Sequence, residues 1–202
     1  MKKDIKLVFE DSRIIETNRG ITVREILKII DDDKVIALRV NGSAVPADYE
    51  IMEDAFVNYI TTVDRIGQKI YTKGLEYIYI KAVREVFGSK AVVNIKHSLD
   101  KSLYTEITGK REINANHIPL IKKAMKEIVD KDMPFKHISV SRSDAYDYVT
   151  SLNEPEKALN YLYMTNDSVT MYELDDDYNY FYYLMPPSTG YLKRFDLTYV
   201  EP

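Results

Sequence analysis

Val35-Ile-Ala-Leu-Arg-Val-Asn-Gly-Ser-Ala-Val45 is a short apolar run, broken at Asn-Gly and then resumed. An apolar run of this length bounded by a turn signal reads as a buried strand. Asn41-Gly42 supplies the positive φ angles of a tight turn, so the chain doubles back at Ser43. On the N-terminal side, residues 5–9 (Ile-Lys-Leu-Val-Phe) and 13–16 flank the polar Glu10-Asp-Ser12, which predicts a hairpin. Thr22 then caps a short helix, with Glu25 completing a capping box and Val23, Ile26, Leu27 and Ile30 forming its apolar stripe. On the C-terminal side, Phe56-Val-Asn-Tyr-Ile60 reads as another strand. Two strands, a helix and further strands describe a small mixed sheet crossed by one helix, a β-grasp layout.

The whole chain has 202 residues, enough for one large domain or two small ones. Hydrophobic residues make up 45% and charged residues 30%, as in ordinary globular proteins. The net charge of −4 argues against a general nucleic-acid surface but leaves room for a local basic groove. There is no cysteine, which removes disulfides, catalytic thiols and thiolate-bound zinc. Residues 1–6 carry no signal-peptide pattern and no run of about 18 apolar residues occurs, so the expected location is the cytoplasm, without a membrane partner.

Further along, Asp31-Asp-Asp33 reads as a solvated helix exit rather than a metal site. Asp64 can cap a helix running to Phe87, interrupted at Gly67 or Gly74, with Gly88-Ser89 ending it. Residues 91–95 and 103–107 read as a strand pair joined through residues 97–102. Asn114 or Asn116 caps a helix with Ile118, Ile121, Met125 and Ile128 on one face, stopped by Met133-Pro134. Residues 137–140 form a short strand, and Ser141 caps a further helix with Asp144 at the reciprocal position. The remainder is predicted to be β-rich, with strands over 169–174, 178–185 and 192–200. The natural boundary falls near residues 62–70, giving domains of 1–62 and 63–202.

The residues at 37–45, Glu53-Asp54 and the strand ending Tyr59-Ile-Thr61 resemble the TGS domain, a β-grasp module at the N-terminus of threonyl-tRNA synthetases. After it, Ser102-Leu-Tyr-Thr-Glu-Ile107, a long helix, a charged strand and a Ser-capped helix resemble the editing-type second domain of those enzymes. With Pro187-Ser-Thr-Gly-Tyr-Leu-Lys-Arg-Phe195, the order looks closer to bacterial uridine kinase-like proteins of the phosphoribulokinase/uridine kinase family. These carry such a region ahead of a P-loop kinase domain. The fold class implied is α+β: a β-grasp domain followed by a threonyl/alanyl-tRNA synthetase editing-like domain. The chain itself has no Gly-x-x-x-x-Gly-Lys-Ser/Thr, so the resemblance places the kinase, with its ATP and Mg, in a domain beyond Pro202. No cofactor is expected in this chain.

The departures bear on chemistry. In the synthetase domain the helix carries His-x-x-x-His, and a later Cys-x-x-x-His completes the site. Matched on Ala82-Val-Arg-Glu-Val-Phe-Gly88, the resemblance puts Lys73 and Tyr77 at the histidine positions, with Lys81 one turn on, and the later pair near Tyr183 and Pro187. Lysine and tyrosine are poor proton shuttles near neutral pH. On a helical wheel Lys73, Tyr77, Lys81 and Arg84 oppose an apolar face of Leu75, Ile78, Tyr79, Ala82 and Val86. That polar side reads either as a solvated surface or as an anion-binding cleft wall. His97-Ser-Leu-Asp-Lys101 gathers a ring, a hydroxyl, a carboxylate and an amine in one connection. Lys73, Tyr77, Lys81, His97, Ser98 and Lys101 are therefore the candidate ligand contacts, with no catalytic and no metal-binding residue among them. The tyrosines of 178–183 read as strand alternation or as a base-stacking platform.

The reading this supports is an accessory, ligand-binding or regulatory region of a uridine kinase-like protein, not catalytic alone. Its partners would be its own C-terminal kinase domain and a small anionic ligand or nucleotide. The alternative is a divergent aminoacyl-tRNA editing hydrolase, using His97 and Tyr77, or a tRNA-binding module.

Overall fold

A computed structural model describes residues 4–99, 102–108, 113–152 and 154–201. The chain runs β1 (Asp4–Phe9), β2 (Ile14–Asn18), β3 (Ile21–Thr22), α1 (Val23–Ile30), β4 (Val35–Val40), β5 (Ser43–Val45), β6 (Glu50–Ile51) and β7 (Ala55–Thr61). It continues with α2 (Arg65–Phe87), β8 (Val92–Leu99), β9 (Ser102–Thr108), α3 (Ile118–Asp130), β10 (Lys136–Ser141), α4 (Arg142–Ser151), α5 (Pro155–Tyr163), β11 (Ser168–Leu174) and β12 (Asp177–Asn179).

The first sheet has the order β2-β1-β7-β4-β5. Only the β1–β7 pair in it is parallel, with Val8 opposite Phe56, and α1 crosses its face, which is the β-grasp arrangement. Local chemistry sets its corners as the sequence predicts. The Thr22 hydroxyl accepts from the Glu25 amide, and the Glu25 carboxylate accepts from the Thr22 amide at 2.8 Å. Asp31 ends α1 with φ 52° and Asp32 Oδ1 accepts the Lys34 amide, so this acidic run builds a turn. Asn41 and Gly42 turn with φ 49° and 84°. Alternate residues of β1 and β7, with Val23, Ile26 and Leu27, fill the core beneath.

The helix after β7 departs from expectation. It is uninterrupted from Arg65 to Phe87, because Gly67 and Gly74 mark close approaches rather than breaks. A Cβ on Gly74 would sit 2.7 Å from Pro186 Cγ, so the missing side chain lets residues 186–192 lie against the helix. Nor does α2 have one apolar face: Gly74, Glu76, Tyr77, Ile78, Ile80 and Val83 are all buried, since α3, β4, β7 and β8 surround it. The main core joins α2 to α3, Phe135, Tyr172, Met185 and Leu192. A smaller cluster of Ile36, Ala37, Ile60 and Ile70, with Tyr71, Leu184 and Tyr191 against it, connects the first sheet to the rest of the chain. Asp48 adds a polar link: its Oδ2 accepts the His137 amide at 2.9 Å, and its Oδ1 pairs with Arg24, whose guanidinium also donates to the Phe135 carbonyl at 2.9 Å.

Four further expectations change. First, β8 extends through residue 99, so His97 and Ser98 are strand positions opposite Tyr104 and Leu103 rather than turn residues. Second, Pro155 at the first turn opens α5, which the sequence reading leaves out. Third, the tyrosine-rich segment stays in the sheet only to Asn179, whose own side-chain oxygen accepts the Tyr180 amide at 2.9 Å and turns the chain away from β11. Residues 192–200 likewise form no strand. They lie along helices that offer no open ladder, so side chains take the backbone bonds: Tyr71 Oη accepts from the Arg194 amide at 2.8 Å and donates to its carbonyl at 3.0 Å.

Burial of the phenols predicts an alkaline limit to this fold. Desolvation pushes Tyr161 and Tyr172 up to about 12 and raises Tyr77 and Tyr148 further, all above an unfolded value of about 10. The folded state therefore holds these protons more tightly. That stability is complete below about pH 10 and is lost as pH rises through about 12. Phenolate absorbance followed together with circular dichroism is expected to show a late group of phenols, Tyr161 and Tyr172 among them, ionising only as the fold is lost.

Candidate functional site

Four-residue spacing puts Arg65, Lys69 and Lys73 on one stripe of α2. The stripe lines a groove of about 1890 Å³, with Thr72 and Glu76 on the same wall. The facing walls come from the end of α1 (Leu27, Lys28), from Tyr183, Pro187 and Ser188, and from Tyr191, Lys193 and Arg194. Ser102 and Leu103 bring the β8–β9 hairpin to the rim. The volume exceeds the roughly 300–1,000 Å³ of small-molecule sites, so the groove suits an extended ligand.

Charge along the stripe is graded. Lys73 Nζ contacts both carboxylate oxygens of Glu76 at 2.7 Å, and Glu76 has only 5% of its side chain exposed. A buried carboxylate requires such a partner, so the Lys73 charge is spent locally. Lys69 instead donates to Tyr183 Oη at 3.2 Å and stands 5.0 Å from that ring's centroid. Arg65 and Lys193 are exposed, and neither has an ion pair among the described residues. An anion in the groove would therefore find Arg65, Lys69 and Lys193 more available than Lys73, alongside the carboxylates of Asp31, Asp32, Asp33, Asp130 and Asp132, which also line it. No histidine lies among the described residues lining it.

The six sequence candidates scatter. Lys73 lines the groove. Tyr77 is fully buried in the core between Phe135 and Phe181, its hydroxyl at 2.9 Å from the Tyr172 carbonyl and 2.8 Å from that of Asp177. This corrects its assignment to a cleft wall: burial, with the Asp177 charge, holds the phenol far above its ordinary range, so Tyr77 offers neither a ligand contact nor a base. Lys81 turns from the groove and pairs with Asp175 at 3.5 Å. Arg84, expected on the same solvated side, has 9% of its side chain exposed and binds Glu154 and Asp177. His97 and Ser98 are placed by backbone on β8, their side chains outside what is described, and Lys101 lies outside the described residues. His117 is structural: Nδ1 accepts the Asn114 amide at 3.2 Å and the ring meets Phe87.

Sequence reading missed Arg65, Lys69 and Glu76. The signal for Arg65 and Lys69 is the repeat 65-69-73, legible only if the helix starts at Arg65 and continues through both glycines. Tyr183 and Pro187, the two later positions matched by resemblance, do meet Lys73 across one groove.

No known family model matches this chain. Among curated proteins it is 26% identical over 197 residues to a threonine--tRNA ligase of Desulforamulus reducens, covering 96% of this chain and 31% of that protein. Threonine--tRNA ligase 2 of Bacillus subtilis is 26% identical over 206 residues, covering 100% and 32%. A threonine--tRNA ligase of Methylobacillus flagellatus is 29% identical over 160 residues, covering 79% and 25%. The chain thus spans about a third or less of the length of these relatives. No helix among the described residues is long and apolar enough to cross a membrane. Along nearly its whole length the chain is similar to threonyl-tRNA synthetases, and its α+β architecture is consistent with a β-grasp and editing-like arrangement.

Proposed function

We propose that this chain is a tRNA-directed binding module, a β-grasp domain over 1–62 and an editing-like domain over 63–202, whose groove holds an RNA end without hydrolysing it. The observation that carries this reading is the Arg65–Lys69–Lys73 stripe in a groove too large for a small anion, in a chain similar throughout to threonine--tRNA ligases. The relatives favour tRNA over the uridine-kinase accessory role, for which they offer no support. Against hydrolysis stands the placement of Tyr77 in the core. A parent protein longer than this chain, with its own activity, is part of the same proposal.

Fluorescence anisotropy with labelled tRNA tests it. Binding is expected to weaken steeply between about 50 and 200 mM salt, as phosphate contacts require. Arg65→Ala and Lys69→Ala should each reduce the salt slope by about one. Absence of binding at the lower salt overturns the proposal. Release of the amino acid from mischarged threonine tRNA above the uncatalysed rate would return the chain to the hydrolases.

A further inference from the structure

Tyr183 is shared between the groove and a second pocket of about 450 Å³. Ile66 and Ile70 of α2 form one wall of this pocket, and His137, Thr170 and Tyr172 of the β10–β11 pair form the opposite one. Residues 180–184 close it. These residues are available because the chain leaves the sheet at Tyr180, so strand alternation no longer accounts for the tyrosine run. Tyr182 is 85% exposed and Tyr183 43% exposed, while Tyr180 and Tyr182 stand edge to face with centroids 4.8 Å apart. Solvated aromatic rings around a small concave site are a costly surface to leave uncovered.

We infer that this pocket is a nucleobase site, taking one unpaired base of the RNA whose phosphates lie along the groove. Its chemistry is that of base recognition. Aromatic faces stack on any base, and the apolar walls exclude water from the contact. His137 and Thr170 add polar groups to a lining of aliphatic side chains and aromatic rings, the pattern that orients a flat heteroaromatic ring. Its volume falls in the small-ligand range, unlike that of the groove. Lys69 joins the two sites: its ammonium is over the Tyr183 ring, one ridge from the pocket, where the phosphate of a base bound there would pass. The His137 backbone amide donates to Asp48 Oδ2, and its ring lies tilted against Tyr172, with centroids 5.1 Å apart. Burial lowers the imidazole below its usual value, which favours the neutral ring at the pH of the assay.

This inference rests on the tRNA-directed reading, and the experiment separates the two. An adenosine decamer and an abasic decamer of equal charge are titrated against the wild type, Tyr183→Leu and Lys69→Ala. The wild type is expected to bind the adenosine decamer about tenfold more tightly than the abasic one. Tyr183→Leu should cost the adenosine decamer more than the abasic one and so close that difference, and Lys69→Ala should weaken both. Equal wild-type affinities, or equal loss of both in Tyr183→Leu, overturn the pocket and leave the RNA reading intact. If neither decamer binds, free adenosine decides, followed through the ring protons of His137, one of only three histidines. A shift abolished by Tyr183→Leu keeps the pocket while the RNA reading fails, and no shift overturns both.

Discussion

Replacing Arg84 by methionine is expected to destabilise the fold by about 3–5 kcal/mol, the range for breaking a buried ion pair by removing one partner. Arg84 Nη1 meets Asp177 Oδ1 at 2.9 Å and Nη2 meets Glu154 Oε1 at 2.6 Å. The three side chains are 9%, 11% and 5% exposed, so solvent cannot replace the lost cation. The Tyr148 hydroxyl also donates to Asp177, and Lys157 pairs with Glu154 at 2.6 Å. One guanidinium thereby ties α2 to β12 and to the junction of α4 and α5. At about 2–4 °C per kcal/mol for a chain of this size, the melting temperature should fall by roughly 6–20 °C. Urea denaturation gives the free energy directly. Combining Arg84→Met with Asp177→Asn and Glu154→Gln should recover part of the loss, because no orphaned charge then remains. A single variant within about 1 kcal/mol of wild type would show that the cluster is effectively solvated.

The second large effect is expected at Gly67. In an exposed helix, glycine to alanine stabilises by about 1 kcal/mol. Here the sign reverses. An added Cβ would stand 2.7 Å from the Thr61 carbonyl carbon, closer still to its oxygen, and 3.4 Å from Ile36 Cγ2. The obstacle is backbone, which cannot rotate aside, so the start of α2 must lift from β4 and β7. Gly67→Ala should therefore cost about 3 kcal/mol, the upper end of overpacking effects. Gly74→Ala meets the Pro186 ring and should cost less, since a loop can yield. An unchanged urea midpoint for Gly67→Ala would refute the tight contact at the helix start.

Both predictions turn on α2, where sequence and structure part most clearly. The β-grasp half was legible because its signals are local. The Thr22–Glu25 box, the Asn41-Gly42 turn and the alternation in β1 each act within a few residues. The wheel over 73–87 failed because it assumes one buried face, and α2 is packed on several sides. Tyr77 and Arg84 look like surface residues in sequence, yet one donates its hydroxyl proton among core carbonyls and the other holds two buried acids. The tyrosine run misled for a related reason, since the Asn179 side chain captures the Tyr180 amide and ends the strand.

The sequence by itself determined the α+β class, the caps and turns of the first sixty residues and the likeness to a TGS and editing-like arrangement. The resemblance puts Lys73 and Tyr77 where that family's histidines stand. Only the tertiary structure decided which of those residues reaches solvent. Side-chain type and helical spacing specify a direction around a helix, whereas the neighbours met in that direction come from elements up to a hundred residues away. Lys73 meets Pro187 across an open groove, and Tyr77, one turn later, meets Tyr172 and Asp177 in the core.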